Sequence, residues 1–318
     1  MRWAGIDEAG YGPNLGPLVM TAVVAEGPDG SSPDPWDDLP ATIARAGGRP
    51  SALWVDDSKR IYRGGLGLDR LEATALATVV ACGHPLPTSL GGLLAFAGAG
   101  SLAEVELTPW LVEGHDPPVP IAADPARLAS ILGGRPFHGA CWRLVATRTV
   151  VVGPAAFNAG LGSADSKAGV HFNAFARLLR WLWDAATEGD IVRVRGDKHG
   201  GRHYYLGPLG AAVPEAGIDR GPEGPDLSAY TLCQGRRRLE LALQPRADAD
   251  DGLVALASIF SKAVREWWMA VFNAHWLARV PGLKPTAGYP GDAARFRTAI
   301  EPICRGRGLG PESWWRAR

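Results

Sequence analysis

The stretch GIDEAGYGPNLGPLV, residues 5–19, constrains the fold more than any other part of the chain. The acidic pair Asp7 and Glu8 ends one short apolar run, and a second apolar run follows the glycines and prolines. The aliphatic and β-branched residues of both runs predict two paired strands, over 3–7 and 18–25, joined by a glycine-rich turn. Glycine lets another backbone come close. The stretch therefore predicts two carboxylates at a strand tip, beside a turn that an extended ligand can approach.

The remaining sequence alternates helical and extended patterns. Apolar residues at helical spacing predict helices, and β-branched runs predict strands. Helices are expected over 67–83, 171–190 and 250–276, strands over 143–153 and 191–197, and a hairpin around 230–243. This order predicts an α/β fold with a mixed sheet flanked by helices.

Charge and cysteine content narrow the class of protein. The chain has 33 basic and 33 acidic residues among 318, so binding to nucleic acid would need a local basic patch. Its four cysteines form no CxxC pair, which gives no indication of a zinc site or a disulfide framework. The first residues show no leader pattern, and the longest apolar stretch, 90–100, is too short and glycine-rich to span a bilayer. We expect a cytoplasmic protein that is not bound to a membrane.

Three separate elements carry acidic residues where a site could form. Asp7 and Glu8 end the first strand, Asp197 ends the strand at 191–197, and Glu266 lies in the long helix. Sites in α/β sheets form at the carboxyl ends of strands, and neighbouring carboxylates stay ionised together only beside a cation. Mg²⁺ prefers oxygen ligands, and two ions roughly 3.5–4 Å apart can hydrolyse a phosphodiester. Each acid alone is more typical of a solvated surface, so this prediction depends on the combination.

Ser258, Lys262 and Glu266 follow each other at intervals of four in the long helix. They share one face of the helix, while apolar residues fill the other. This spacing indicates that one side of the helix faces the acidic residues. The alternative is a surface Lys–Glu pair on a core helix.

Four blocks of the chain resemble the ribonuclease HII family, the type 2 ribonucleases H. They are GIDEAGYGPNLGPLV, DDSK, ALASIFSKAVREWWM and AGYPGDAARF, in this order. That family cuts RNA strands in RNA–DNA hybrids and single ribonucleotides in duplex DNA. The resemblance implies a ribonuclease H-like α/β fold with a central mixed five-stranded sheet and insertions at about 84–140 and 200–247. It also implies a catalytic domain over 1–274 and a C-terminal helical extension over 275–318 that carries Tyr289.

The resemblance assigns roles to individual residues. Asp7 and Glu8 match the first two metal-binding carboxylates, Asp197 is placed third by its strand-end position, and Glu266 falls where the family carries a fourth acid, normally aspartate. These four would bind Mg²⁺ or Mn²⁺ as the catalytic group. Contacts with the substrate are implied for Gly10, Tyr11, Gly12, Lys59, Ser258, Lys262 and Tyr289. Of these, the lysines and Ser258 would face phosphate or support the acids, and Tyr289 would pack against a sugar.

Two positions depart from the family pattern. In the family an arginine or lysine usually stands between the two glycines of the turn, and Tyr11 replaces it here. The turn as a whole touches the 2′-hydroxyl of the ribonucleotide in that family. Glu266 is one methylene longer than aspartate, so we expect lower activity or a shift toward Mn²⁺.

The expected function is metal-dependent hydrolysis, by a monomer, of RNA paired to DNA or of ribonucleotides embedded in a DNA duplex. Two alternatives stay open. The protein could be a nuclease of the same fold that acts on another nucleic-acid structure, such as branched or damaged DNA, or a non-catalytic nucleic-acid-binding homologue. The Asp197-x-His199-x₃-His203 run leaves open a transition-metal site as well.

Overall fold

The two apolar runs beside the glycine-rich turn form the inner strands of a mixed sheet. The computed structural model describes residues 1–63, 67–98, 116, 118–164 and 166–317. In it the runs become β1 (Arg2–Ala9) and β2 (Leu18–Glu26), which pair antiparallel with Asp7 opposite Thr21. Both strands are buried on both faces, which is why they read as continuous apolar runs rather than alternating ones.

The other elements follow in chain order. The further strands are β3 (Ile43–Ala44), β4 (Leu53–Trp54), β5 (Arg143–Val152), β6 (Ile191–Asp197), β7 (Gly217–Glu223), β8 (Ser228–Gln234) and β9 (Arg237–Gln244). The helices are α1 (Pro35–Asp38), α2 (Ser58–Ile61), α3 (Leu68–Ala81), α4 (Leu90–Ala97), α5 (Pro125–Gly133), α6 (Pro154–Ala164), α7 (Lys167–Ala185), α8 (Leu206–Ala212), α9 (Ala247–Asp250), α10 (Gly252–Leu277) and α11 (Pro290–Gly306). The strands and helices expected from the sequence are present, with ends shifted by a few residues.

Within the described residues, seven strands form one sheet in the order β5–β2–β1–β6–β9–β8–β7. β1 is antiparallel to β2 and parallel to β6, and β6 is parallel to β9. The other neighbours are antiparallel. The predicted α/β fold with a mixed sheet between helices is confirmed. The sheet has seven strands rather than five because β8 and β7 extend it beyond β9.

The pleat of β1 sends alternate side chains into two cores. Trp3 packs in the core that lies between the sheet, α3 and α10. Ala4 and Ile6 pack in the second core, which lies under α7. Because neighbouring residues of a strand point to opposite faces, Asp7 lies on the α10 side of the strand tip and Glu8 on the α7 side.

Helix α10 runs along β1 in close contact and in the same direction. A Cβ atom on Gly5 would lie 2.2 Å from the backbone carbonyl carbon of Leu253, so the start of the helix crosses the strand where no side chain fits. Farther along, the Arg265 side chain fills the space in which a Cβ atom of Gly10 would lie. The second half of α10 therefore lies beyond the tip of β1, beside the glycine-rich turn.

The segment expected as an insertion at 84–140 contains α4 and α5, and its residues 99–115 and 117 lie outside the described residues. The fully buried Glu72 on α3 anchors the part that follows. Its carboxylate accepts hydrogen bonds from the backbone N–H groups of residues 121–123 at 2.6–2.8 Å and from the Trp267 indole at 2.7 Å. The second expected insertion, 200–247, includes β9, which lies inside the sheet and pairs with β6.

The division into a catalytic domain and a C-terminal extension at 274 stays a prediction. Helix α10 continues to Leu277, three residues past that boundary. The chain beyond it packs back onto the helix in a third core that includes Phe272, Phe296 and Trp314. Among the described helices, none combines the length and apolar character that a membrane crossing requires.

Candidate active site

Asp7 is a buried carboxyl group at the tip of β1, with 8% of its surface exposed. Burial, followed by the charges of Glu8 and Asp248, raises the pKa of Asp7 well above its usual value. A hydrogen bond with Ser258 of α10 acts in the opposite direction by favouring the ionised form. The Ser258 hydroxyl also lies 3.1 Å from that of Ser58. Ser258 is therefore buried next to Asp7 and does not face solvent.

Glu8 lies on the other face of the sheet, where α7 holds it. Its carboxylate is 3.2 Å from Nε2 of His171, a residue that is 2% exposed. Although burial opposes ionisation, the hydrogen bond and charge of His171 lower the pKa of Glu8. The Tyr11 ring meets the His171 ring edge-on at 5.1 Å between centroids. The sequence offered no signal for His171, because a single histidine on an amphipathic helix is usually a core residue.

Asp197 stands beside Asp7 because β6 and β1 are parallel neighbours. Ile6 pairs with Gly196 in the register, so the two aspartates come one residue later at the same level. The Asp197 carboxylate accepts hydrogen bonds from the backbone N–H groups of Lys198 at 2.8 Å and Arg246 at 2.9 Å. Burial and the charge of Glu8 raise its pKa, while those two hydrogen bonds oppose the shift.

Asp248 is a fourth acid of this group, which the sequence analysis missed. It lies on the one-turn helix α9, which begins directly after Arg246. The backbone of Arg246 is left-handed, with φ of 58°. Burial and the charges of Asp57 and Asp197 raise the pKa of Asp248 to about 6. The acidic run in ADADD was visible in the sequence. The bend at Arg246 decides which of these aspartates faces the site, and no hydrophobic period in the sequence predicts that bend.

Lys59 supplies a cation to these acids. Burial alone would lower its pKa, but the charges of Asp57, Asp7 and Asp248 raise it. The lysine belongs to the one-turn helix α2, which begins at the Asp57 cap. Lys59 thus lies close enough to Asp57, Asp7 and Asp248 for their charges to act on it.

Glu266, which the resemblance places with these acids, interacts with Lys262 Nζ at 2.6 Å, Tyr62 Oη at 3.1 Å and Arg265 at 3.4 Å. Its role as a metal ligand stays a prediction, and its place along α10 bears on it. Eight residues separate Glu266 from Ser258, which contacts Asp7, and at about 1.5 Å per residue that is ~12 Å. The ammonium group of Lys262 binds this carboxylate and lies 4.7 Å from the centroid of the Tyr62 ring.

The glycine-rich turn is shaped mainly by internal packing. Gly10 and Gly16 have φ of 86° and 83°, and a Cβ atom at either position would lie within 2.4 Å of another atom. They were expected to make room for a ligand, but the space beside them is filled by Pro17, Arg265 and Met269. Gly12 differs, because nothing lies within 4 Å of the position that its Cβ atom would take. Of the three, Gly12 is the glycine at which a ligand can approach.

Arg316 holds this turn from a distant part of the chain. Its guanidinium donates to the carbonyl of Gly10 and, at 3.0 Å, to that of Tyr11, and it lies 3.8 Å from the centroid of the Phe157 ring. The side chain is fully buried, and burial and the charge of Arg265 lower its pKa to about 9. No local pattern in the sequence could connect residue 316 with residue 10.

Tyr289 lies at the edge of the same turn. The carbonyl of the preceding Gly288 accepts the backbone N–H groups of Asn14 and Leu15 at 2.9 and 3.2 Å. The Tyr289 side chain is 47% exposed, with the Arg265 guanidinium 5.7 Å from its ring centroid. An exposed ring beside the turn can stack on a planar or sugar-like ligand.

The chemistry of these side chains fits a hard divalent cation. Carboxylate oxygens are the donors that Mg²⁺ and Mn²⁺ accept. Within the described part of the chain, no three acidic, histidine or cysteine side chains converge closely enough to ligate one ion, and the split of Asp7 and Glu8 between two faces contributes to this. Mg²⁺ is commonly bound by one or two carboxylates, with waters and substrate phosphates as further ligands. Pairs of these acids fit such an ion.

The histidine run after Asp197 does not form a metal site in the described residues. His199 is 4% exposed and packs against the rings of Phe175 and His171, with centroids 4.7 and 4.5 Å away. Burial lowers its pKa well below the usual value. It is a core residue behind Glu8.

We predict that Arg316→Ala lowers the free energy of unfolding by about 2–4 kcal/mol, because two partly buried carbonyl groups lose a charged donor and a fully buried side chain is removed. Arg316→Lys should recover only part of this, since an ammonium cannot reproduce the planar guanidinium fork. Urea denaturation measures both. Arg305→Ala, at a site 81% exposed, is the control and should match the parent. An Arg316→Ala variant as stable as the parent would show that the turn does not need this clamp.

The raised pKa of Asp248 predicts a stability that depends on pH. Between pH ~4 and the folded value of about 6, the folded protein binds more protons than the unfolded chain, so this group destabilises the fold as pH rises. In metal-free buffer at pH ~7.5, Asp248→Asn should stabilise the protein by on the order of 1–3 kcal/mol, and the gain should vanish near pH 4. Denaturation curves at both pH values test this. The control is Asp250→Asn, which changes an exposed neighbouring residue and should give no such trend. A gain in stability for Asp248→Asn that is independent of pH would contradict the account.

Comparison with known proteins finds similar solved structures. The chain matches no protein-family model and no curated protein sequence. The ribonuclease HII of Archaeoglobus fulgidus, solved in a complex with PCNA, is 16% identical over 100% of this chain and 95% of that one, with a TM-score of 0.43. The ribonuclease H2 of Pyrococcus horikoshii is 15% identical over 99% and 92%, also at 0.43. Bst ribonuclease HIII, in complex with Mn²⁺, is 14% identical over 99% and 66%, at 0.41. Identities of 14–16% do not assign a function to this chain.

Proposed function

We propose that this protein is a divalent-metal-dependent endonuclease that hydrolyses the RNA strand of RNA–DNA hybrids or ribonucleotides embedded in duplex DNA. The observation that carries the proposal is the gathering of Asp7, Glu8, Asp197 and Asp248 at the joined ends of β1 and β6, where they perturb one another's pKa values. An all-oxygen set of acids beside Lys59 and an open glycine turn suits phosphodiester chemistry. The products would carry a 3′-hydroxyl and a 5′-phosphate.

In this proposal the four acids hold Mg²⁺ or Mn²⁺. The bound metal would supply an activated water and stabilise the charge on the departing oxygen. The chain itself orients the acids, because Ser258 binds Asp7, His171 binds Glu8, and two backbone N–H groups fix Asp197. Such outer partners hold ligands in a productive geometry. Lys59 would meet the phosphate next to the cleaved bond.

The turn offers a way to recognise ribose. In a trans peptide the C=O and the following N–H point in opposite directions. Because Arg316 binds the carbonyls of Gly10 and Tyr11, the N–H groups of Tyr11 and Gly12 face away from the guanidinium. Two such donors, with open space at Gly12, can bind a 2′-hydroxyl or phosphate oxygen. This arrangement would replace a basic residue in the turn, and Tyr289 would stack on the neighbouring sugar.

Cleavage assays with four labelled substrates test the proposal. They are an RNA–DNA hybrid, a DNA duplex with one ribonucleotide, the same duplex without it, and a four-way DNA junction, each with Mg²⁺ and with Mn²⁺. The proposal expects cleavage of the first two and none of the others. Cleavage of the junction or of the all-DNA duplex would identify a nuclease for another structure. Binding without turnover in either metal would identify a non-catalytic module.

Variants of the two candidate fourth ligands sharpen that test. Asp248→Asn should lower kcat by two or more powers of ten, since losing a ligand removes several kcal/mol of transition-state stabilisation. Glu266→Gln preserves the size of the side chain but leaves one acceptor oxygen for its partners Lys262, Arg265 and Tyr62, and should remain within about tenfold of the parent. The reverse order of effects would return Glu266 to the site and remove Asp248 from it.

A further inference from the structure

One segment next to the candidate active site carries an excess of positive charge, although the chain as a whole is neutral. Residues 43–70 contain six arginine or lysine residues and three aspartates. The segment forms the small β3–β4 ribbon, α2 and the start of α3. Lys59, which interacts with the acids of the candidate active site, belongs to it. The excess of positive charge therefore begins at the site and continues away from it.

Arg45 connects this segment to the helix of Asp248. Its guanidinium donates to the carbonyl of Ala249 at 2.8 Å and lies 3.3 Å from the centroid of the Trp36 ring. It is also 3.9 Å from the buried carboxylate of Asp56, which Arg60 approaches at 3.1 Å. Two half-exposed guanidiniums thus share a single buried acid, so their combined charge is only partly neutralised.

Next to this pair lies an open hollow of about 460 Å³. Arg60, Arg63, Arg70 and Trp54 line it, and we call these four residues the arginine hollow. The Arg70 guanidinium lies 4.5 Å from the centroid of the Trp54 ring and 3.7 Å from the Asp69 carboxylate. Asp69 also pairs with Arg127, so its charge is shared between the two arginines. Arg63 is exposed and takes part in no ion pair among the described residues.

We propose that the arginine hollow binds the phosphate backbone of a nucleic-acid duplex outside the cleavage site. This inference rests on the proposed function and adds a location for the affinity that a neutral protein needs. Guanidinium groups suit phosphate because their planar fork can donate two hydrogen bonds to its oxygens. Lys59 and Arg60 are neighbours on α2, and they serve the acids and the hollow respectively. A strand held at the acids would continue into the hollow.

Contact through phosphate has a recognisable signature. It carries no information on base sequence or sugar, and it releases counterions when the duplex binds. The hollow should therefore strengthen binding of hybrid and all-DNA duplexes alike, with an affinity that falls steeply with salt. Discrimination of ribose would stay with the glycine turn.

Fluorescence anisotropy with labelled duplexes, in buffer with EDTA and a series of KCl concentrations, tests the hollow without cleavage. Arg60→Gln/Arg63→Gln should weaken binding of the hybrid and of the all-DNA duplex by a similar factor, roughly tenfold. The slope of log K against log salt should fall by about one for each phosphate group that the variant no longer binds. Arg63→Gln alone, which breaks no described ion pair, should show a smaller change in the same direction. In Mg²⁺, KM for the hybrid should rise while kcat is unchanged.

The control is Arg236→Gln, which changes an exposed arginine in the β8–β9 turn. This turn precedes β9, and Arg238 at the start of β9 pairs with Ile191 at the start of β6. The turn therefore lies at the edge of the sheet opposite to Asp197, which ends β6. The control should bind as the parent does. Unchanged affinity and slope in both hollow variants would overturn the proposal, as would a loss confined to the hybrid or a fall in kcat. A parent that binds duplexes but never cleaves them would refute the proposed function and leave the hollow standing.

Discussion

Repulsion among carboxylates at the joined ends of β1 and β6 is the constraint on which the rest of this structure depends. The parallel pairing of the two strands brings Asp7 and Asp197 to one level, and α9 adds Asp248. The fold opposes the resulting repulsion with Lys59, with His171 behind Glu8 and with backbone donors to Asp197. Burial, with the remaining repulsion as the smaller cause, still raises the pKa values of Asp7, Asp197 and Asp248. An arrangement that costs stability in this way is typical of a functional site.

The second organising feature is the way in which distant segments support the opening turn. Arg265 from α10 packs against Gly10, Gly288 binds the backbone of Asn14 and Leu15, and Arg316 binds the carbonyls of Gly10 and Tyr11. Backbone groups held by three distant parts of the chain form a rigid surface. Rigid donors lose little entropy when they bind, so a turn of this kind can distinguish a hydroxyl group by geometry. The ribbon and α2 then extend the positive surface outward from Lys59.

Much of the fold could be predicted from the sequence because its signals are local. The strands β1 and β2 read as apolar runs, α10 has a long regular period, and Asp7, Glu8 and Asp197 come at strand ends where a parallel pair must bring them together. The fourth acid could not be predicted this way. A helical face identifies residues that point in one direction, and it indicates Glu266, which binds Lys262. Asp248 follows a left-handed bend at Arg246, which no helical period reveals. Arg316 and His171 depend on contacts across the whole chain, which no local pattern encodes.

The most direct test of the account is whether the acids bind a divalent cation at all. Titration of the metal-free protein with Mn²⁺, followed by electron paramagnetic resonance of the free ion, measures this without a nucleic acid or turnover. The account expects saturable binding by the parent and by Glu266→Gln, and its loss in Asp7→Asn and Asp248→Asn. No saturable binding by the parent, or binding that disappears with Glu266 and survives the loss of Asp248, would contradict it.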